Sequence, residues 1–281
     1  MKKLIIIAFV LLLAVPTANA TEILFGFVGS GYYNDGNNLA DMIDVLPDYN
    51  VTRRNLWTTT YDDYSEFDQV WVYDLTTGTN VNVHQTANYA NIANWYNNLL
   101  TPNIIVDGRI VSSADSWTDR AKKPDETSLI QNYATVLDAE GGGLILGTDH
   151  ATAFTRGINE INRQIGIGDF SGFYYTPPLE AVIDVESPLY SAGVGFPCSD
   201  GSGRICINDN SSTSFAPTGM QANGQFLTPL AYHGNLSQAF DNAAVASNLE
   251  SPTFLTPEPG TFILTAFGLL GMIGLRRKFN K

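Results

Sequence analysis

The sequence predicts an α/β fold: a three-layer parallel sheet with helices on both faces, a C-terminal antiparallel excursion, and a single C-terminal transmembrane helix. Three observations predict it. Short apolar runs such as Leu144-Ile145-Leu146 alternate with segments whose apolar residues recur at helical spacing, the pattern of strands joined by crossover helices. Beyond Gly166 that rhythm gives way to polar–apolar alternation and to a stretch rich in Gly, Ser and Asn. Near the C-terminus, an apolar stretch from Phe262 to Leu275 is followed by Arg276-Arg277-Lys278, the order of greasy segment and basic stop that a lipid bilayer sorts.

Residues 1–20 read as a secretory signal peptide. Lys2-Lys3 precede the apolar run Leu4 to Val15, and Pro16 with the small-residue site Ala18-Asn19-Ala20 follows, so the mature chain is expected to begin at Thr21. Glu22 to Val28 is a short buried strand running into Gly29-Ser30-Gly31. Leu39, Met42, Ile43 and Leu46 then mark one helical face, which Pro47 terminates. Val51 to Leu56 is a second strand, and Phe67 to Leu75, centred on Val70-Trp71-Val72-Tyr73, a third. Ile92, Tyr96, Leu99 and Leu100 predict a helix stopped by Thr101-Pro102, with a strand at Asn103 to Val106. Pro124-Asp125 opens a helix carrying Ile130, Tyr133, Ala134 and Leu137 on one face. Gly141-Gly142-Gly143 ends it, and Leu144 to Gly147 enters the sheet. Thr148-Asp149-His150 then turns the chain into a helix carrying Phe154, Ile158, Ile161 and Ile165.

The second half is read more coarsely. Leu179, Ala181, Ile183 and Val185 alternate with polar and smaller residues, a half-exposed strand. A loop runs to about Gly224, and Phe226 to Tyr232 is the last strand expected, with Leu236 and Phe240 extending a helix after it. The mature domain is therefore taken as residues 21–241, residues 242–256 as a spacer of small and polar residues, and 257–281 as the C-terminal signal.

Charge excludes one class of partner. Six of the fifteen Lys and Arg lie in the two terminal segments, leaving nine against twenty-seven Asp and Glu between those segments. Nucleic acid is not expected as a partner, because neutralising phosphates takes clustered cations. The two cysteines, Cys198 and Cys206, flank an Asp-Gly-Ser-Gly turn, and an exported chain meets an oxidising compartment, so a disulfide is expected.

The C-terminal order of Pro257-Glu258-Pro259-Gly260, apolar run and basic end resembles the PEP-CTERM sorting signal. The resemblance implies recognition at Pro257, Glu258 and Pro259 by a membrane-embedded exosortase, and membrane retention by Arg276, Arg277 and Lys278. It implies as partners the Sec export machinery, the exosortase and the membrane, with exopolysaccharide as a possible outer partner. The final location it implies is the cell surface or the extracellular matrix, after a transient stay in the inner membrane. It implies no reaction.

A second resemblance rests on Phe67-Asp68-Gln69-Val70-Trp71-Val72-Tyr73-Asp74 and on the glycine-led strand Gly141 to Gly147 with its turn Thr148-Asp149-His150. These segments resemble the flavodoxin-like domain of class I glutamine amidotransferases over about residues 21–168. In catalytic members a cysteine occupies the turn where this chain has Asp149, so the thiolate reaction is absent from the expectation. Asp149, His150 and His233 remain as a candidate acid/base set, with His233 reaching the same sheet edge from the end of the last strand. The competing reading makes Asp149 the N-cap of the following helix.

Two functions follow, a non-catalytic binding or structural component of the surface or matrix and, alternatively, an extracytoplasmic hydrolase using Asp149 with His150 or His233. No cofactor is expected. Calcium is the one ion for which the oxygen-rich segments Asn34 to Asn38, Asp200-Gly201-Ser202 and Asn208-Asp209-Asn210 have the composition, although none has the spacing of an EF-hand. Gly29-Ser30-Gly31 with Gly36 lacks the third glycine and the lysine of phosphate-binding loops. His84 has no second histidine at ligand spacing and reads as a surface or turn residue. The aromatic pairs Tyr32-Tyr33, Trp57 with Tyr61, Trp95-Tyr96 and Tyr174-Tyr175 read mostly as core or interface, and Arg53-Arg54 and Lys122-Lys123 as solvated surface.

Overall fold

A computed structural model describes residues 20–28, 33–74, 81–98, 103–107, 128–140, 143–147, 154–174, 180–190, 195–208 and 213–249. Five strands, β1 (Thr21–Val28), β2 (Tyr49–Asn55), β3 (Gln69–Asp74), β4 (Ile104–Asp107) and β5 (Gly143–Gly147), pair in parallel in the order β2-β1-β3-β4-β5. Four helices cover them: α1 (Tyr33–Asp44), α2 (Val83–Tyr96), α3 (Leu129–Glu140) and α4 (Arg156–Gln164).

Each strand serves two cores because alternate side chains leave opposite faces of a pleated sheet. Ile23, Phe25 and Phe27 of β1 and Trp71 and Tyr73 of β3 pack with Leu39 and Ile43 of α1 and with Ile130, Tyr133 and Leu137 of α3. On the other face, Leu24, Val70, Val72, Ile105 and Leu144 pack with Tyr89 and Ile92 of α2 and with Ile158 and Ile161 of α4. The helical faces read from the sequence are buried or half-buried wherever they fall among the described residues, Leu99 and Leu100 lying outside them, and the architecture is three-layered α/β. Two polar side chains are built into the first core. Gln69 Nε2 donates to the carbonyl of Ala134 at 3.0 Å, and Gln69 Oε1 accepts from Trp71 Nε1 at 3.0 Å, which satisfies groups that burial would otherwise penalise.

The antiparallel part is larger than the sequence suggests. Beyond β5 come β13 (Ala243–Ser247), β12 (Phe226–Tyr232), β7 (Glu180–Ile183), β9 (Ile205–Asn208) and β8 (Phe196–Pro197), all antiparallel to their neighbours, with β11 (Gly219–Met220) beside β12. β6 (Ser171–Tyr174) and β10 (Thr213–Phe215) form a separate two-stranded ribbon. Four short strands thus occupy the Gly/Ser/Asn-rich stretch expected to be a loop. A second correction concerns β7: Ala181, Val182, Ile183 and Asp184 are all buried, because both faces are covered, Ala181 and Ile183 by the α1/α3 core and Val182 by a smaller cluster with Cys198, Cys206, Tyr232 and Ala239. A third concerns the end of the domain. Phe226–Tyr232 is not the last strand, since β13 falls within the stretch taken as a spacer and is buried along its whole length. The helix expected around Leu236 and Phe240 is a single 3-10 turn, Leu236–Gln238.

Among the described residues no helix is long and apolar enough to cross a membrane. The predicted C-terminal span, the signal peptide up to Asn19, and the sorting residues Pro257, Glu258, Pro259, Arg276, Arg277 and Lys278 all lie outside the described residues.

Cys198 and Cys206 are disulfide-bonded and close the β8–β9 hairpin. Closing a loop of about nine residues lowers unfolded-chain entropy by the equivalent of about 2.5 kcal/mol. A Cys198→Ser/Cys206→Ser variant is expected to lose about 2–3 kcal/mol of unfolding free energy, with a denaturant m-value no smaller than that of the parent, in urea titrations followed by fluorescence.

Candidate functional site

In a doubly wound sheet, ligand-binding groups gather where parallel strands end. At that carboxyl edge stands Asp74, the last residue of β3, whose side chain lies on the α2/α4 face and is 2% exposed. Its Oδ2 accepts from Gln85 Nε2 at 2.9 Å and from the Tyr89 hydroxyl. Gln85 and Tyr89 are one helical turn apart on α2, both fully buried, and Gln85 Nε2 also lies 2.9 Å from the Tyr89 hydroxyl. Gln85 Oε1 has no hydrogen-bond partner among the described residues.

α4 closes this cluster from the other side. Gly157, in its first turn, approaches so tightly that a Cβ would collide with Asp74 Oδ2 and the Tyr89 hydroxyl. The carboxylate thereby sits at the amino end of α4, where the helix dipole favours negative charge. Asp74 ties the central strand to two helices at once. It was missed in the sequence reading, although an acid ending the apolar run Val70-Trp71-Val72-Tyr73 was the available signal.

The sequence-derived candidates are distributed as follows. Asp149 and His150 lie outside the described residues. His233 follows β12, and because β13 is antiparallel to both β5 and β12, β12 runs in the direction of β5 and delivers His233 to the carboxyl edge. Two strand spacings, about 10 Å, separate that position from the end of β5. The imidazole is fully buried. Its Nδ1 is 3.1 Å from the carbonyl of Glu180, which can only accept, so the ring hydrogen is on Nδ1. His84 is the second residue of α2, with Nδ1 2.8 Å from Thr60 Oγ1.

Around His233 the disulfide hairpin is tied down by polar contacts. Arg204 Nη1 donates to the carbonyl of Gly234 at 2.7 Å, Arg204 Nη2 pairs with Asp200 at 2.6 Å, and the Ser199 N–H donates to Glu180 Oε2 at 2.9 Å. The Ser202 hydroxyl and backbone N–H, followed by Arg204, hold the Asp200 carboxyl down at about 2. The oxygen-rich loop at Asp200 is thus committed to its own serine and arginine. Among the described residues no cluster of three or more His, Cys, Asp or Glu is arranged to hold a metal ion. Asn34, Asp35 and Gly36, read as a loop, lie within the first turns of α1, and Asp209 and Asn210 lie outside the described residues.

The basic and aromatic candidates also shift. Arg53 pairs with Asp41 and, at 3.2 Å, with Asp44. Arg54 is no simple surface cation: it pairs with Glu66 at 2.6 Å and lies over the rings of Tyr61 and Phe67 at 4.7 and 4.8 Å. Trp57, Tyr61 and Tyr96 are partly buried against the α2/α4 core, and Trp95 is buried. Lys122-Lys123, Tyr32 and Tyr175 lie outside the described residues.

Residues 255–278 match the PEP-CTERM protein-sorting motif. This match supports a PEP-CTERM protein, exported and sorted through an exosortase. No curated protein and no solved structure matches the chain. The resemblance to glutamine amidotransferases is not supported by any of these comparisons.

Two outcomes test the site. Gly157→Ala is expected to cost about 3 kcal/mol, at the upper end of overpacking penalties, while Gln164→Ala on the exposed side of α4 changes stability little; thermal melts of the two variants decide it. For Asp200, the folded-state pKa is depressed, so the contacts of its loop are intact above the ordinary carboxylate range and are lost as pH falls toward about 2. Carboxyl NMR titration is expected to place the midpoint near 2 and to find it moved up toward 3.8 in Ser202→Ala.

Proposed function

We propose that this chain is an exported component of the cell surface or exopolysaccharide matrix, processed at its PEP-CTERM motif, whose mature domain binds or builds rather than catalyses. The match at residues 255–278 carries the reading. The acidity of the domain between the two terminal segments supports it, since such a charge keeps a surface protein soluble in an aqueous, cation-containing medium. The disulfide fits an oxidising compartment. In this reading Lys2-Lys3, Leu4 to Val15 and Ala18-Asn19-Ala20 direct export through the Sec machinery, and Arg276, Arg277 and Lys278 hold the chain in the membrane until the exosortase acts.

A second reading, a hydrolase built on Asp149 with His150 or His233, draws on the arrival of His233 at the carboxyl edge. The burial of its imidazole and the engagement of its Nδ1 by a backbone carbonyl favour the non-catalytic reading.

Intact-mass spectrometry of the full chain, expressed in a host with an exosortase and in the same host lacking it, tests the reading. The processed form is expected to lack both Met1 and Lys281. The exosortase-deficient host, and a Pro257→Ala/Glu258→Ala variant, are expected to accumulate chain retaining Lys281 in the membrane fraction. Release of Lys281 in both hosts alike would overturn the assignment.

A further inference from the structure

The path of the last strand says which way the domain faces the membrane. β13 is antiparallel to β5, with Val245 opposite Gly147 and Ser247 opposite Ile145. Its exit lies beside the start of β5: the Leu144 N–H donates to Asn248 Oδ1 at 2.7 Å, and a Cβ on Gly143 would touch both Asn248 and Leu249. The chain therefore leaves the sheet at its amino edge. β1 starts at the same edge, with the Thr21 N–H donating to the carbonyl of Asp48 immediately before β2. Four strand spacings, about 19 Å, separate the two ends.

We infer that the amino edge of the sheet is the surface presented to the membrane and the exosortase, and that the carboxyl edge, with Asp74 and His233, is displayed away from them. The inference rests on the sorting reading and deepens it. Five residues, 250–254, separate Leu249 from the matched motif. Eight residue steps from Leu249 to Pro257 reach at most about 28 Å in any conformation. The strands themselves span up to about 26 Å from edge to edge. Turning the carboxyl edge to the membrane would consume nearly the whole of that reach along the flank of the domain, leaving nothing to enter a membrane-embedded enzyme. Turning the amino edge to it consumes none. The N-terminal apolar segment, while still attached, pulls from the same edge, so two independent tethers agree on one orientation.

Matched probes exist on both edges. Val45, just before β2, is 73% exposed and Met220, opposite Phe226 at the start of β12, is 69% exposed, both at the amino edge. Val83, at the start of α2, and Leu236, after β12, are 75% and 54% exposed at the carboxyl edge. Since Cys198 and Cys206 are bonded to each other, a single added cysteine at each site takes a maleimide dye selectively. The full-length chain with each label is reconstituted into vesicles carrying an acceptor-labelled headgroup lipid, and both flotation and energy transfer are measured.

The expected result is flotation with the vesicles and transfer at least about threefold more efficient from V45C and M220C than from V83C and L236C, given edges separated by about 20 Å or more. Equal transfer from all four, or stronger transfer from V83C and L236C, in a chain that floats overturns the orientation while leaving the sorting reading intact. A chain that does not float overturns the membrane tether and the orientation with it. A flexible Gly/Ser insertion after Leu249 is expected to narrow the difference; an unchanged difference would show that the short connection does not set the orientation.

Discussion

The whole sheet depends on the insertion of five small residues, Ala243-Ala244-Val245-Ala246-Ser247, between β5 and β12. Without β13, the five parallel strands and the antiparallel strands share no hydrogen-bonded ladder. Small side chains suit the position because both faces of the strand are already crowded. Ala243 and Ala246 face the core of α2 and α4, and Ala244 and Val245 face that of α1 and α3. The register shifts twice beside Pro229, which cannot donate to the ladder: Leu230 is the extra residue on β12 between Pro229 and Ala231, and Ala244 is the extra residue on β13 between Val245 and Ala243. Ser247 then locks the joint: its hydroxyl donates to the carbonyl of Leu144 at 2.6 Å and accepts from the Leu249 N–H at 2.9 Å. An unmade bond at either atom would leave a buried polar group, costing about 1–3 kcal/mol.

This joint gives the two edges of the sheet different characters. At the carboxyl edge, polar groups are drawn inward, with Asp74 shared between a glutamine and a tyrosine of α2 and pressed against Gly157, and with His233 held by a carbonyl of β7. At the amino edge, polar groups face water and bind one another across strand starts, as where the Glu22 N–H meets Asp68 Oδ2 at 2.9 Å and Asn50 Nδ2 meets Glu22 Oε1 at 2.7 Å. Solvated pairs of this kind add little stability.

Much of the parallel half was legible because its signal is local. Val70-Trp71-Val72-Tyr73 and Leu144-Ile145-Leu146 are apolar runs too short for helices, and Ile130, Tyr133, Ala134 and Leu137 have the spacing of one helical face, all four fully buried. The antiparallel half was not legible, for a reason of sheet position. β7 alternates like a half-exposed strand, yet separate clusters cover its two faces and bury Val182 along with Ile183. β13 has the composition of a linker, and nothing local distinguishes a buried Ala-Ala-Val-Ala-Ser strand from a spacer, since its burial is imposed by the cores on both faces of the sheet. Arg54 was read as solvated because the rings that cover it, Tyr61, Tyr64 and Phe67, come from a loop whose path the sequence does not reveal. Of the candidate site, the position of His233 just past an apolar strand was legible, and the edge it reaches depends on β13 running antiparallel between β5 and β12. The Asp74 cluster was not legible, because it needs α2 and α4 brought together across one face.

The late position of β13 also orders the assembly of the domain in time. Leu144 and Asn248, which bond across the central joint, are 104 residues apart, and Ser247 reaches back 103 residues to Leu144. Contacts so distant in sequence must offset the closure entropy of the intervening chain before they stabilise anything, so the joint forms late. A chain that crosses a membrane in extended form from its N-terminus cannot make this joint until residue 249 has emerged, a few residues before the sorting motif at 255. Completion of the sheet and arrival of the motif at the membrane are thus consecutive events, separated by a segment too short to let one proceed far without the other.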